Sequence, residues 1–83
     1  MQIAAIEARD AYEIGDEVVV RLDGVEVRDA NSGAPRAAGA AWTIAEITGA
    51  VTRNERPGYV FRFRDDDAVC TCIADETAIE GLA

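Results

Sequence analysis

The stretch Ile14-Gly15-Asp16-Glu17-Val18-Val19-Val20-Arg21-Leu22 decides the fold. Gly15-Asp16 is a turn signal. After it, Val18, Val20 and Leu22 fall on one face of an extended chain and Glu17 and Arg21 on the other, the period of two expected of a half-buried strand. Beyond it, Asp23-Gly24 is a hairpin signal. Val25 and Val27 then alternate with Glu26 and Arg28, so the chain reads as a ribbon-like excursion from the first strand.

The same period recurs further on. Tyr59-Val60-Phe61-Arg62-Phe63-Arg64 alternates strictly, aromatics on one side and Arg62 and Arg64 on the other. Polar residues 53–58 form the turn before it, Asp65-Asp66-Asp67 form a tip after it, and residues 68–74 return as another strand. Asp75-Glu76-Thr77 suits a short 3₁₀ turn, and residues 78–82 a closing strand. In Trp42-Thr43-Ile44-Ala45-Glu46-Ile47 the alternation slips between Ile44 and Ile47, and a β-bulge between them would bring both inward. The predicted core is therefore Val18, Val20, Leu22, Ile44, Ile47, Phe61, Phe63, Ile79 and Leu82. Short strands punctuated by turns predict a mostly β domain of about five strands, a small barrel.

Two segments resist this pattern. Residues 29–41 hold the turn residues Asn31, Ser32, Gly33 and Pro35 and few large apolar ones, which predicts one long loop, a place where function or mobility concentrates. Residues 1–12 read as an N-terminal arm or an extra strand. Ile3 and Ile6 are spaced as on a helix, but the segment is short and rich in alanine.

Eighty-three residues allow a single domain spanning 1–83. Hydrophobic residues make up 49% of the chain, enough for a small globular core. No apolar run approaches the roughly 18 residues of a membrane span, and the N-terminus lacks the basic and apolar regions of a secretory signal. These features predict a cytoplasmic protein. Arginine as the sole basic residue, beside sixteen alanines, matches the codon bias of a GC-rich, bacterial genome.

Sixteen acidic residues face eight arginines, with no lysine or histidine, for a net charge of −8. A field of that sign repels phosphate backbones and anionic membranes, so neither nucleic acid nor a membrane is an expected partner. Lacking histidine, the chain has neither the commonest general base nor the commonest metal ligand. Cys70 and Cys72 form a lone C-x-C without a second pair, which is not a zinc signature. They read as free thiols packed as small hydrophobes. The single serine, Ser32, has no base near it in sequence. Neither an enzyme, nor a bound metal, nor a cofactor is expected.

The order of the pieces resembles the SH3-like small β-barrels, including the KOW, Tudor-type and bacterial SH3-like variants. The resemblance rests on Gly15-Asp16-Glu17-Val18-Val19-Val20, then Trp42-Thr43-Ile44-Ala45-Glu46-Ile47, then the aromatic strand from Tyr59 to Asp65, then Asp75-Glu76-Thr77 leading into Ala78-Ile79-Glu80-Gly81-Leu82. It covers about residues 13–82 and implies the fold more than an activity. In the peptide-binding members a tryptophan faces a tyrosine-lined groove, and Trp42 resembles that tryptophan. The aromatic expected in the closing turn is absent here. The tips are acidic where RNA-binding members carry basic loops.

The candidate binding residues are Trp42, Tyr59, Tyr12, Arg62 and Arg64. Trp42 follows the long loop and reads either as an anchor on a binding surface or as a cap on the barrel end beneath residues 29–41. Tyr12 and Tyr59 join it in a groove, or Tyr59 lies at the core edge with Phe61 and Phe63. Arg62 and Arg64, with Arg53 and Arg56 before them, make a local basic patch or pair across strands with Glu17, Glu46 or Glu80. The expected function is an acidic protein–protein interaction or accessory module, with a homodimer through exposed strand edges as one form of it. The alternative is an acidic nucleic-acid mimic that occupies a basic site on a DNA- or RNA-binding protein.

Overall fold

A computed structural model describes residues 12–53 and 55–83, with only the backbone of Arg53. The expectation for residues 1–12 thus falls outside the described residues, except at Tyr12. Seven strands form one antiparallel sheet: β1 Glu17–Arg21, β2 Val27–Asp29, β3 Pro35–Arg36, β4 Trp42–Arg53, β5 Arg56–Asp65, β6 Ala68–Asp75 and β7 Ile79–Leu82. Their order across the sheet is β3-β2-β6-β5-β4-β1-β7, and the sheet is not closed. A 3₁₀ turn, Glu76–Ala78, precedes β7 and is capped by the Asp75 carboxylate, which accepts from Thr77 N at 3.0 Å.

The mostly β expectation holds, with seven strands where about five were expected. The two additional ones are β2, at the end of the excursion, and β3, inside the segment 29–41 expected to be loop. Asp23-Gly24 does turn the chain, with Val25 N donating to Leu22 O at 3.0 Å and Gly24 at φ 78°, a conformation glycine adopts without cost. The strands either side of it do not pair with each other. β2 crosses to the far side of the sheet and pairs with β6, and β4 takes the place beside β1.

Residues 29–41 are not one long loop. Asp29 closes a compact turn: its Oδ1 accepts from Asn31 N at 2.8 Å and Ser32 N at 3.0 Å, and its backbone N and O bond to Ala34 and Gly33. Pro35–Arg36 then pairs with Val27–Arg28. Farther along, Arg36 reaches Asp65 at 3.5 Å and Asp29 at 3.8 Å, and Leu22 N donates to Ala41 O at 2.8 Å. Hydrogen bonds and ion pairs, rather than apolar burial, hold this segment, which is why its small-residue composition reads as loop.

Val18, Val20, Leu22, Ile47, Phe61 and Phe63 are buried together as predicted. Phe61 is completely enclosed, a burial that contributes about 1.5–3 kcal/mol. Ile79 is partly buried against this cluster. Ile44 and Leu82 are not core residues. Ile44 is 53% exposed because period two persists through β4 as far as Ile47, so small Ala45 faces inward instead. The bulge falls later: Ile47 opposes Phe61 and Gly49 opposes Val60, leaving Thr48 as the extra residue. Leu82 lies opposite Val18 but on the edge strand, where no strand among the described residues lies beyond it, and is 65% exposed. Val27, Ala45, Cys70, Cys72, Ala74 and Ala78 complete the core. Among the described residues no helix is long and apolar enough to cross a membrane.

Candidate functional site

The turn at Leu22–Val25 and the segment before β4 stand on either side of the end of β1. Between them lies an open groove of about 820 Å³. Leu22, almost wholly buried, is at its base, and Ala38, Ala40 and Ala41 line one wall. Trp42, the first residue of β4, lies opposite Arg21 across the β1–β4 ladder and is 58% exposed. It borders the 29–41 segment but is not enclosed by it, so the barrel-cap reading fails and the indole faces the groove. Asp23 and Glu80 stand on the rim. Arg21 is held there by Glu80 at 2.8 Å and donates to Thr77 O at 3.2 Å. The groove is thus small-residue and apolar inside, with carboxylates around one neutralised arginine.

Tyr12 and Tyr59 do not share this groove. Tyr59 opposes Ala50, eight residues along β4 from Trp42, which at strand rise is about 26 Å away. The Tyr12 and Tyr59 rings meet edge to face at 6.2 Å, and Tyr59 packs on Phe61 at 6.1 Å. This aromatic chain continues the core outward. Burial, then the nearby Glu76 and Tyr12, push the Tyr59 hydroxyl above its ordinary pKa. Tyr59 therefore sits at the core edge.

Arg62 and Arg64 project from β5 on the outer face of the sheet, around a smaller concavity of about 460 Å³ shared with Glu17, Ile44 and Val69. Arg62 pairs with Glu46 across the strands at 3.2 Å. Arg64 makes no ion pair among the described residues, and Glu80 is taken by Arg21 instead. Arg56 does not extend a basic patch either, since it approaches Asp75 at 3.8 Å.

Cys70 and Cys72 both point into the core and are unbonded to each other. Burial, with Cys70 beside it, pushes the Cys72 thiol up to about 11. Ser32 Oγ accepts from Ala34 N at 3.2 Å in an exposed turn. Among the described residues no three of His, Cys, Asp and Glu converge to hold a metal ion. The Asp65-Asp66-Asp67 tip divides its carboxylates: Asp65 faces Arg36, and Asp66 occupies the left-handed corner of the turn at φ 57°.

Single-residue reading found Trp42 but missed its setting. Leu22 and the alanines at 38, 40 and 41 carry no chemical signal of their own, and only the run of small residues before Trp42 hinted at a smooth wall. No protein-family model matches the chain, and neither a curated protein nor a solved structure matches it significantly, so this groove and the outer face carry the functional argument.

Proposed function

We propose that this chain is a small, acidic, cytoplasmic protein–protein interaction module of the SH3-like barrel type, without catalytic activity, and that its partner engages the groove beside Trp42. The fold reading draws on strand order. With β2 and β3 set aside, β7-β1-β4-β5-β6 are five successive neighbours, and the 3₁₀ turn stands before the last strand. The functional reading rests on one observation. A tryptophan on a regular strand, more than half exposed, borders an apolar groove with a buried leucine at its base. Rigid exposed aromatics beside grooves are the usual anchors of protein interfaces. The absence of catalytic activity in this reading reflects two buried thiols without a base and a serine occupied in a turn.

Affinity capture from the native host with the wild-type chain and with Trp42→Ala tests it. The partner should be lost with the variant while the melting temperature stays nearly unchanged, because Trp42 contributes little to the core. Retention of the same partner by Trp42→Ala rejects the groove. The nucleic-acid mimic remains the second reading, supported by the net charge of −8. It requires capture that collapses between low and physiological salt, as charge-driven association does.

A further inference from the structure

On the outer face of the sheet Val19 and Ile44 lie directly opposite each other, and Trp42 follows two residues along β4 on the same face. Ile44 and Trp42 are both more than half exposed. Beside this apolar strip stand two glutamates, Glu17 and Glu46, and two arginines, Arg62 and Arg64. The patch is therefore neutral in a chain of net charge −8. Neither a strongly basic nor a strongly acidic partner is selected by such a face. A surface with the same balanced pattern is.

The charges are also arranged in a self-complementary way. Arg62 is satisfied by Glu46, while Glu17 and Arg64 have no ion pair among the described residues. Glu17 opposes Glu46, a like-charged pair that is unfavourable across strands, and Glu46 in turn opposes Arg62. Arg64 lies two residues beyond Arg62 on β5. Glu17 and Arg64 thus flank β4 diagonally, one on each side. A two-fold axis lying in the interface and crossing β4 between Ile44 and Glu46 carries each copy's Arg64 towards the other's Glu17. It also stacks Val19 and Ile44 between the copies.

We propose that this outer face is a homodimer interface, in which two copies pack face to face on Val19, Ile44 and the flank of Trp42 with reciprocal Arg64–Glu17 pairs. A two-fold contact uses one patch twice, so a patch that carries both partners of an ion pair suits it. Edge-to-edge pairing suits the chain less. β3 is two residues long and begins with Pro35, which has no N–H, and β7 is interrupted by a bulge between its pairings to Val19 and Val20. The proposal rests on the reading of the Trp42 side of the sheet as the contact surface and names a second copy as its partner.

Sedimentation velocity on the purified full chain, from about 1 to 200 µM, is the test. The wild type should sediment as two chains at the upper end, and Ile44→Glu as one. Arg64→Glu and Glu17→Arg should each weaken association about a hundredfold, because each removes both reciprocal pairs of the two-fold contact and one close interfacial charge pair is worth about tenfold, and the double exchange should restore it. Thermal melts of all four variants verify folding, since each position is at the surface. A monomer throughout the range overturns the dimer. A dimer indifferent to Ile44→Glu overturns the face, and a double exchange without recovery overturns the reciprocal pairs. If the dimer fails while capture of another protein still depends on Trp42, the groove stands without it.

Discussion

A methyl group added to Gly39 would stand 2.8 Å from Asp65 Oδ1. The same carboxylate lies 3.5 Å from Arg36, so the wall of the Trp42 groove rests against the end of β5 at a single side chain.

Gly39→Ala must therefore displace the Asp65 carboxylate from Arg36. A carboxylate at the end of a side chain moves easily, and a solvent-accessible ion pair at 3.5 Å contributes at most about 1 kcal/mol, so we expect a loss below that in a urea melt. In an Asp65→Ala background the loss should vanish, because the obstacle is gone. An equal loss in both backgrounds would show that Gly39 is needed for another reason. The fluorescence of Trp42, the chain's one tryptophan, reports on the groove wall in each variant.

Phe61→Ala should cost about 3–5 kcal/mol, since the ring is fully enclosed and leaves a cavity. Ile44→Ala should cost less than about 1 kcal/mol, as is usual for surface substitutions. The two values, from chemical denaturation, measure which face of each strand is inside. A reversed ranking would mean that the strand faces are exchanged.

Asp29 should contribute to acid sensitivity. Backbone hydrogen bonds from Ser32 and Asn31, followed by Arg36, hold its carboxyl below the ordinary 3.8. A depressed folded-state value gives stability that is complete above the unfolded value and lost as pH falls from about 3.8 through the folded one. Asp29→Asn keeps an oxygen that accepts in the turn but does not titrate. Its melting temperature should vary less with pH below 4 than that of the wild type. Parallel curves for the two proteins would count against the assignment.

Cys70 and Cys72 should resist alkylation in the native protein at pH 8 and react fully in denaturant. Both are enclosed, and burial, with Cys70 beside it, pushes the Cys72 thiol from 9.0 up to about 11. The raised value also works in the opposite pH direction. Its stabilising contribution is intact below 9.0 and is lost as pH rises towards 11, so labelling of Cys72 should accelerate through that window. Rapid native labelling at pH 8 would show that the β5–β6 region opens.

Much of the fold was legible because period two is a direct imprint of a half-buried sheet. Val18, Val20, Phe61 and Phe63 identify an inner face without any further information, and the 3₁₀ turn at Glu76–Ala78 follows from its capping aspartate. Pairing was not legible. Asp23-Gly24 turns the chain as read, yet nothing local says that Val27 finds Cys72 rather than β1. Ile44 shows a second limit. Its size suggests burial, but parity with Glu46 outweighs size, and a bulge one residue after Ile47 cannot be told from one before it. The candidate site was half legible. Trp42 stands out by residue type, whereas the wall opposite it consists of alanines placed by Arg36, Asp65 and the Leu22–Ala41 hydrogen bond.

The pairing of β1 with β7 sets a schedule for folding during synthesis. Val18 opposes Leu82, and Ala83 N donates to Glu17 O at 2.9 Å, so the first of the described strands is completed by the last of them. The β4–β5–β6 meander needs only neighbouring turns and can assemble early, because closing short loops costs little entropy. Until residues 79–82 emerge, β1 presents an unpaired edge beside Val18 and Val20. A chain in which β7 has not yet docked would thus display a nearly finished sheet whose first described strand is still open to intruders, a state in which chaperone contact matters most.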